Sequence, residues 1–118
     1  METQVSPRFE QRPWQDLSTV LAGKIMLSPV GIVRAFDTTL IDGDKTTREF
    51  LVHDNYSEWD YIIHDWKVTS PPDIYWASKT PDQFSIACES NIKAAVQFWV
   101  LPKLRPWLRE MTHTPYTA

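Results

Sequence analysis

Only one cysteine, Cys88, occurs among the 118 residues, so no internal disulfide can form and a stapled secreted scaffold is excluded. Glycine is scarce as well, at three residues, and none belongs to a Gly-rich array of the kind that cradles phosphates. Cys-x-x-Cys pairs, a His-Glu-x-x-His helix and a Gly-x-Ser-x-Gly elbow are all missing, which removes the usual signatures of thiol, metalloprotease and serine-hydrolase chemistry. No apolar run approaches the roughly 20 residues needed to cross a bilayer, and the opening METQVSPRFEQRPW has no continuous apolar core of a signal peptide. A soluble chain in the cytoplasm or another reducing compartment, without membrane contact, is the expectation.

What is present is ordinary in bulk and unusual in detail. A hydrophobic fraction of 42% against 23% charged residues fits one globular domain of this length, expected to span 1–118 with residues 1–12 a flexible arm and 113–118 a frayed tail. Six Trp and nine Pro exceed common usage, and six indoles are more than one small core hides easily. The formal charge of −3 is uneven. Between Asp37 and Asp65 the acids are Asp37, Asp42, Asp44, Glu49, Asp54, Glu58, Asp60 and Asp65, against Lys45 and Arg48, whereas Lys103, Arg105 and Arg109 outnumber Glu110 further on. The acidic middle points to a partner protein with a basic surface and away from nucleic acid.

The strongest local signal is TPDQFSIACESNIKAAVQFWVL. Thr80 as N-cap, Pro81 at the first helical position and Gln83 as capping partner predict a helix over about 81–101. Helical rotation then places Phe84, Ala87, Cys88, Asn91, Ala94, Ala95, Phe98 and Trp99 on one face, and Pro102 stops or kinks the helix. Trp14, Leu17 and Leu21 with a terminal Gly23 predict a short N-terminal helix. The runs GIVRAFDTTLI, TTREFLVHD, DYIIHDWKVT and IYWAS read as strands, the first two joined by a tight turn at Asp42-Gly43. A short terminal helix follows Pro106. The fold expected is α+β: an antiparallel meander of about four strands, the main helix on one face and short helices at both ends.

Two His-Asp dipeptides, His53-Asp54 and His64-Asp65, are the main candidates for chemistry. In strands, adjacent residues point to opposite faces, so one pair cannot easily grip one ion. If the strands neighbour each other, however, His53 and His64 can converge, with Asp37 or Asp60 completing a site for a metal-assisted hydrolase. The alternative is satisfied strand histidines. Asp42-Gly43-Asp44 lacks the ligand alternation of a calcium loop and reads as a turn, and Cys88 reads as an inert buried thiol. Asn91, centred on the apolar stripe, needs a hydrogen-bond partner or a ligand. The aromatics Tyr56, Trp59, Tyr61, Trp66, Tyr75 and Trp76, interleaved with acids, suit a protein interface or an aromatic-lined site for a small ligand or carbohydrate.

The expected function is therefore a non-enzymatic protein-interaction module. It would be a small inhibitor, accessory protein or assembly subunit of a larger complex, of a kind that viruses and mobile elements also encode. Its interface residues would be Tyr56, Trp59, Asp60, Tyr75 and Trp76, with no catalytic or metal-binding residue and no cofactor. Self-association is compatible with that reading.

Overall fold

The computed structural model describes residues 7–36, 40–41, 48–65 and 72–113. Its centre is the hairpin of β4 (Arg48–Asp54) and β5 (Trp59–His64). Phe50, Val52, Tyr61 and Ile63 point to one face of this hairpin, and Leu51 and Ile62 to the other, as strand alternation requires. Beyond β5 lies β6 (Asp82–Cys88), and beyond that the edge strand β2 (Val20–Leu27). The outer side of β4 is shared by β1 (Phe9–Arg12), opposite residues 51–54, and by the two-residue β3 (Leu40–Ile41), opposite residues 48–49. All pairings are antiparallel.

The α+β class, the antiparallel sheet and a C-terminal helix packed on it agree with the sequence expectation; the boundaries move. Residues 82–88, expected to be helical, form a central strand. Phe84, Ile86 and Cys88 join the main core while Ala87 joins a cluster on the other face. A strand buried on both faces loses its visible alternation, and Ala87 and Cys88 then mimic the small-residue face of a helix. The N-cap motif that suggested otherwise is used differently: the Thr80 N–H donates to Ser78 Oγ, and Asp82 accepts from Tyr75 Oη at 2.7 Å.

The helical segment starts at Ser90. It runs as a 3₁₀ turn (Ser90–Ile92), α3 (Lys93–Ala95), a π turn (Val96–Val100) and α4 (Leu101–Met111). Val96, Val100, Leu101, Leu104 and Leu108 are its buried stripe. Pro102 neither stops nor breaks it. A proline ring clashes with the carbonyl four residues back and offers no N–H, and the preceding π turn widens the backbone just there, with the Leu101 N–H donating to Val96 O. Asn91, expected on the apolar stripe, is exposed.

Other expected elements change type. The strand expected from Gly31 onward is α1 (Pro29–Ala35): Ser28 Oγ caps the Gly31 N–H at 3.1 Å and Pro29 opens the helix, which outweighs the β-branched Ile32 and Val33. Gly31 lets this helix approach the end of α4, since a Cβ there would collide with the Thr112 carbonyl. The expected fourth strand is α2 (Pro72–Trp76), whose Trp76 packs against Phe50 and Phe84. Residues 1–12 are not all a free arm, because Phe9–Arg12 is β1 and Phe9 is buried against Trp107. The Asp42-Gly43 turn, Asp37 and Trp66 lie outside the described residues.

The expected N-terminal helix is replaced by an extended strap at residues 13–19. It joins β1 and β2, which lie at opposite edges of the sheet, so it must cross the sheet. Arg12, Leu51, Ile62, Ala87 and Leu21 form one cross-strand row, and Trp14 and Leu17 of the strap pack on its three central members. Four strand spacings are about 19 Å, which seven extended residues span. The helical spacing of Trp14 and Leu17 was real as a burial pattern and arose from this crossing.

Candidate functional site

Three groupings of chemistry-bearing side chains deserve comparison: the turn between β4 and β5, the polar rows on the strap side of the sheet, and the outer face of the C-terminal helix.

At the turn, Asp54 is fully buried and organises its surroundings. It accepts from Arg8 Nε at 3.2 Å, Arg8 Nη2 at 3.3 Å, the Tyr56 N–H at 2.9 Å and Ser57 Oγ at 2.9 Å. Burial raises its pKa, but these donors outweigh that and hold the carboxyl below its usual range. Glu58 follows in a left-handed conformation, φ 63°, which reverses the chain into β5. Tyr56 is 72% exposed, with the Arg8 guanidinium 4.8 Å from its ring centroid.

On the strap side, His53 Nδ1 lies 2.7 Å from Asp60 Oδ1 and Nε2 lies 3.0 Å from Glu58 Oε2. Burial lowers the pKa of His53, yet the two carboxylates more than compensate and raise it. An imidazole with a carboxylate at each nitrogen is a proton-holding clamp; it has no lone pair to offer a substrate or an ion. His64 sits on the same face but four residues further along β5 than Asp60, roughly 13 Å away, with the Leu51–Ile62 row between. The two histidines do not converge. Among the described residues no three His, Cys, Asp or Glu side chains come together as ligands.

His64 belongs to a second row, in which Glu49, His64, Ser85 and Lys24 are successive cross-strand neighbours. An acid, a histidine and a serine side by side suggest nucleophilic catalysis. What weighs against it is burial: His64 Nδ1 lies 2.9 Å from its neighbour's carbonyl, Asp65 O, and Ser85 is buried, where a substrate has no access to its hydroxyl. Cys88 is also buried, and desolvation pushes its thiol pKa up.

The five residues expected at an interface are dispersed. Trp76 is 6% exposed and belongs to the core, with Arg48 stacked at 5.2 Å from its ring. Tyr75 is half-buried, and desolvation followed by its bond to Asp82 raises its pKa. Trp59 is half-buried against the core, Asp60 holds His53 and Tyr56 is exposed at the other end of β4 from Trp76. Of the acids behind the expected basic partner, Asp54, Glu58, Asp60 and Asp65 accept hydrogen bonds within the chain, and Asp37, Asp42 and Asp44 lie outside the described residues.

Among the described residues, the largest exposed aromatic surface lies on the helix face that the sequence pattern places against the sheet. Phe98 and Trp99, in the π turn, are 76% and 71% exposed, and their rings meet at a centroid distance of 5.6 Å. Their neighbours on this side are Ala94, Pro102 and Lys103, all exposed. Beginning the helix nine residues early set the wrong rotational phase; Pro102 was the available signal that the preceding turn departs from α geometry.

No family model and no curated protein matches this chain. Function has to be argued from the surface itself.

Proposed function

We propose that this domain is a non-enzymatic protein-interaction module whose contact surface is centred on Phe98 and Trp99. The observation that carries the reading is the exposure of two adjacent large rings on a helix whose opposite side is firmly buried. Together they offer roughly 300 Å² of apolar surface, the size of patch that marks interaction sites on small proteins. The rings already rest against each other in a tilted contact, 55° between planes, so little freedom is lost on docking. The π turn beneath them is the irregularity that turns both rings outward.

The partner is a protein with an apolar pocket and an acidic rim. Lys103 lies one turn beyond Trp99, and Lys93 lies in the short helix that leads into the π turn; both are exposed. Among the described residues neither is in an ion pair. Rim cations of this kind accelerate encounter and select partners of opposite charge.

The test compares affinity capture from the native source by the parent, Phe98→Ser, Trp99→Ser and Tyr56→Ser. Support is a partner lost with both helix variants and retained with Tyr56→Ser, with all thermal transitions unchanged. Identical capture profiles for all four proteins would remove the reading.

A further inference from the structure

The edge strand β2 is closed over most of its length by the C-terminal helix. Gln97 Nε2 donates to Ala22 O at 2.9 Å and Arg105 Nε donates to Lys24 O at 3.0 Å. A Cβ on Gly23 would lie 2.7 Å from Leu101 Cδ1, so the helix sits directly against the strand there. Both capped carbonyls point away from β6. Ladder alternation therefore turns the N–H and C=O of Met26 to the same outer side. Among the described residues, no side chain caps Met26 as Gln97 and Arg105 cap its predecessors.

A groove opens at that point. One part, of about 170 Å³, is bordered by Met26, Lys79, Arg109 and His113. A second, of about 360 Å³, continues from Met26 and Arg109 to Lys24 and Gln83. Among the described residues no carboxylate lines either part. Among the described residues Lys24, Lys79 and Arg109 are in no ion pair, and Met26 is 54% exposed.

We infer that this groove binds an acidic peptide in extended conformation. The peptide backbone pairs with the outward N–H and C=O of Met26, its carboxylates meet Lys24, Lys79 and Arg109, and an apolar side chain rests on the Met26 thioether. A peptide is favoured over a nucleic acid strand because the uncapped main chain of an edge strand offers pairing that only another peptide can complete. The site is separate from Phe98 and Trp99, more than two helical turns away along α4 from Arg109, and does not depend on them.

Fluorescence anisotropy with a labelled eight-residue peptide of alternating glutamate and valine tests the inference, beside a lysine–valine peptide and an eight-nucleotide DNA strand. The acidic peptide should bind saturably, with Kd roughly 100 µM or tighter at low salt, and weaken as salt rises. Lys79→Glu and Arg109→Glu, both at exposed positions, should each weaken it about tenfold or more. Lys103→Glu makes the same charge change on the outer helix face and should alter affinity by less than about twofold, as should Phe98→Ser with Trp99→Ser. Backbone N-methylation of the peptide should also weaken it. The inference is overturned by an absence of saturable binding, by equal losses from Lys103→Glu, by indifference to N-methylation, or by tighter binding of the DNA strand.

Discussion

Removing the Asp54 carboxylate should cost more stability than any other single change in the β4–β5 turn. In Asp54→Ala, Arg8 loses a two-pronged ion pair, and the Tyr56 N–H and Ser57 hydroxyl lose their acceptor. Removing one member of a buried pair typically costs about 3–5 kcal/mol. Because the Arg8 side chain keeps 22% of its accessibility, water can partly rehydrate it, and the lower end, about 3 kcal/mol, is expected here. For a domain of 118 residues that corresponds to a fall in Tm of roughly 9–15 °C. Thermal and urea unfolding at pH 7, followed by circular dichroism and tryptophan fluorescence, measure it. The pH dependence supplies a second reading. A carboxyl whose folded pKa lies below its ordinary 3.8 contributes stability that is fully present above that value and is lost as pH falls through the depressed folded pKa. The gap between parent and variant should therefore narrow below about pH 4. A loss under about 1 kcal/mol at pH 7, or a gap indifferent to acid, would refute the role given to Asp54.

Gly31→Ala should destabilise by about 1–3 kcal/mol through collision with the Thr112 carbonyl, read as a lowered urea midpoint; an unchanged midpoint would mean that α1 and α4 are less closely apposed. Trp14→Phe removes a buried indole N–H that has no hydrogen-bond partner among the described residues, so the lost packing should be offset and Tm should hold or rise; a fall of several degrees would show that the N–H is satisfied in solution. His53→Gln should flatten the pH dependence of stability in the range from 6.5 upward, because a histidine with a raised folded pKa contributes stability that is complete below its ordinary value and fades as pH rises through the folded one. An NMR titration showing the parent His53 at or below 6.5 would contradict the clamp formed with Glu58 and Asp60.

The parts of the fold legible in the sequence are those where local chemistry and tertiary setting agree. Strands β4 and β5 alternate aromatic and β-branched residues around a polar turn, and both stand close to where that pattern places them. The sequence misled where burial on both sides erased periodicity, as in β6, or where one short motif had two uses. Thr80-Pro81-Asp82-Gln83 carries every feature of a helix start, yet β6 gains more from pairing with β5 and β2 on both sides than an isolated cap supplies. Ser28-Pro29 was the true helix start and was obscured by the Ile-Val pair after it. The aromatic excess was a sound reason to expect surface rings. Which rings were exposed depended on helix phase, and a π turn before Pro102 shifts that phase in a way that counting by 3.6 residues cannot anticipate. The acids likewise looked free in one dimension; three of those nearest the turn, Asp54, Glu58 and Asp60, are paired with Arg8 and His53, with Asp54 buried and Glu58 exposed.

The most direct test of the proposed contact surface is site-specific photo-crosslinking in cells of the native source. A photoreactive amino acid is placed singly at Trp99, Tyr56, Asp60 and Tyr75, and adducts are identified by mass spectrometry. Position 99 should yield one dominant protein adduct whose crosslinked peptide is apolar and flanked by acids, while the other three positions yield little. A dominant adduct at position 56, 60 or 75 with none at 99 would contradict the assignment and return the interface to the turn and α2.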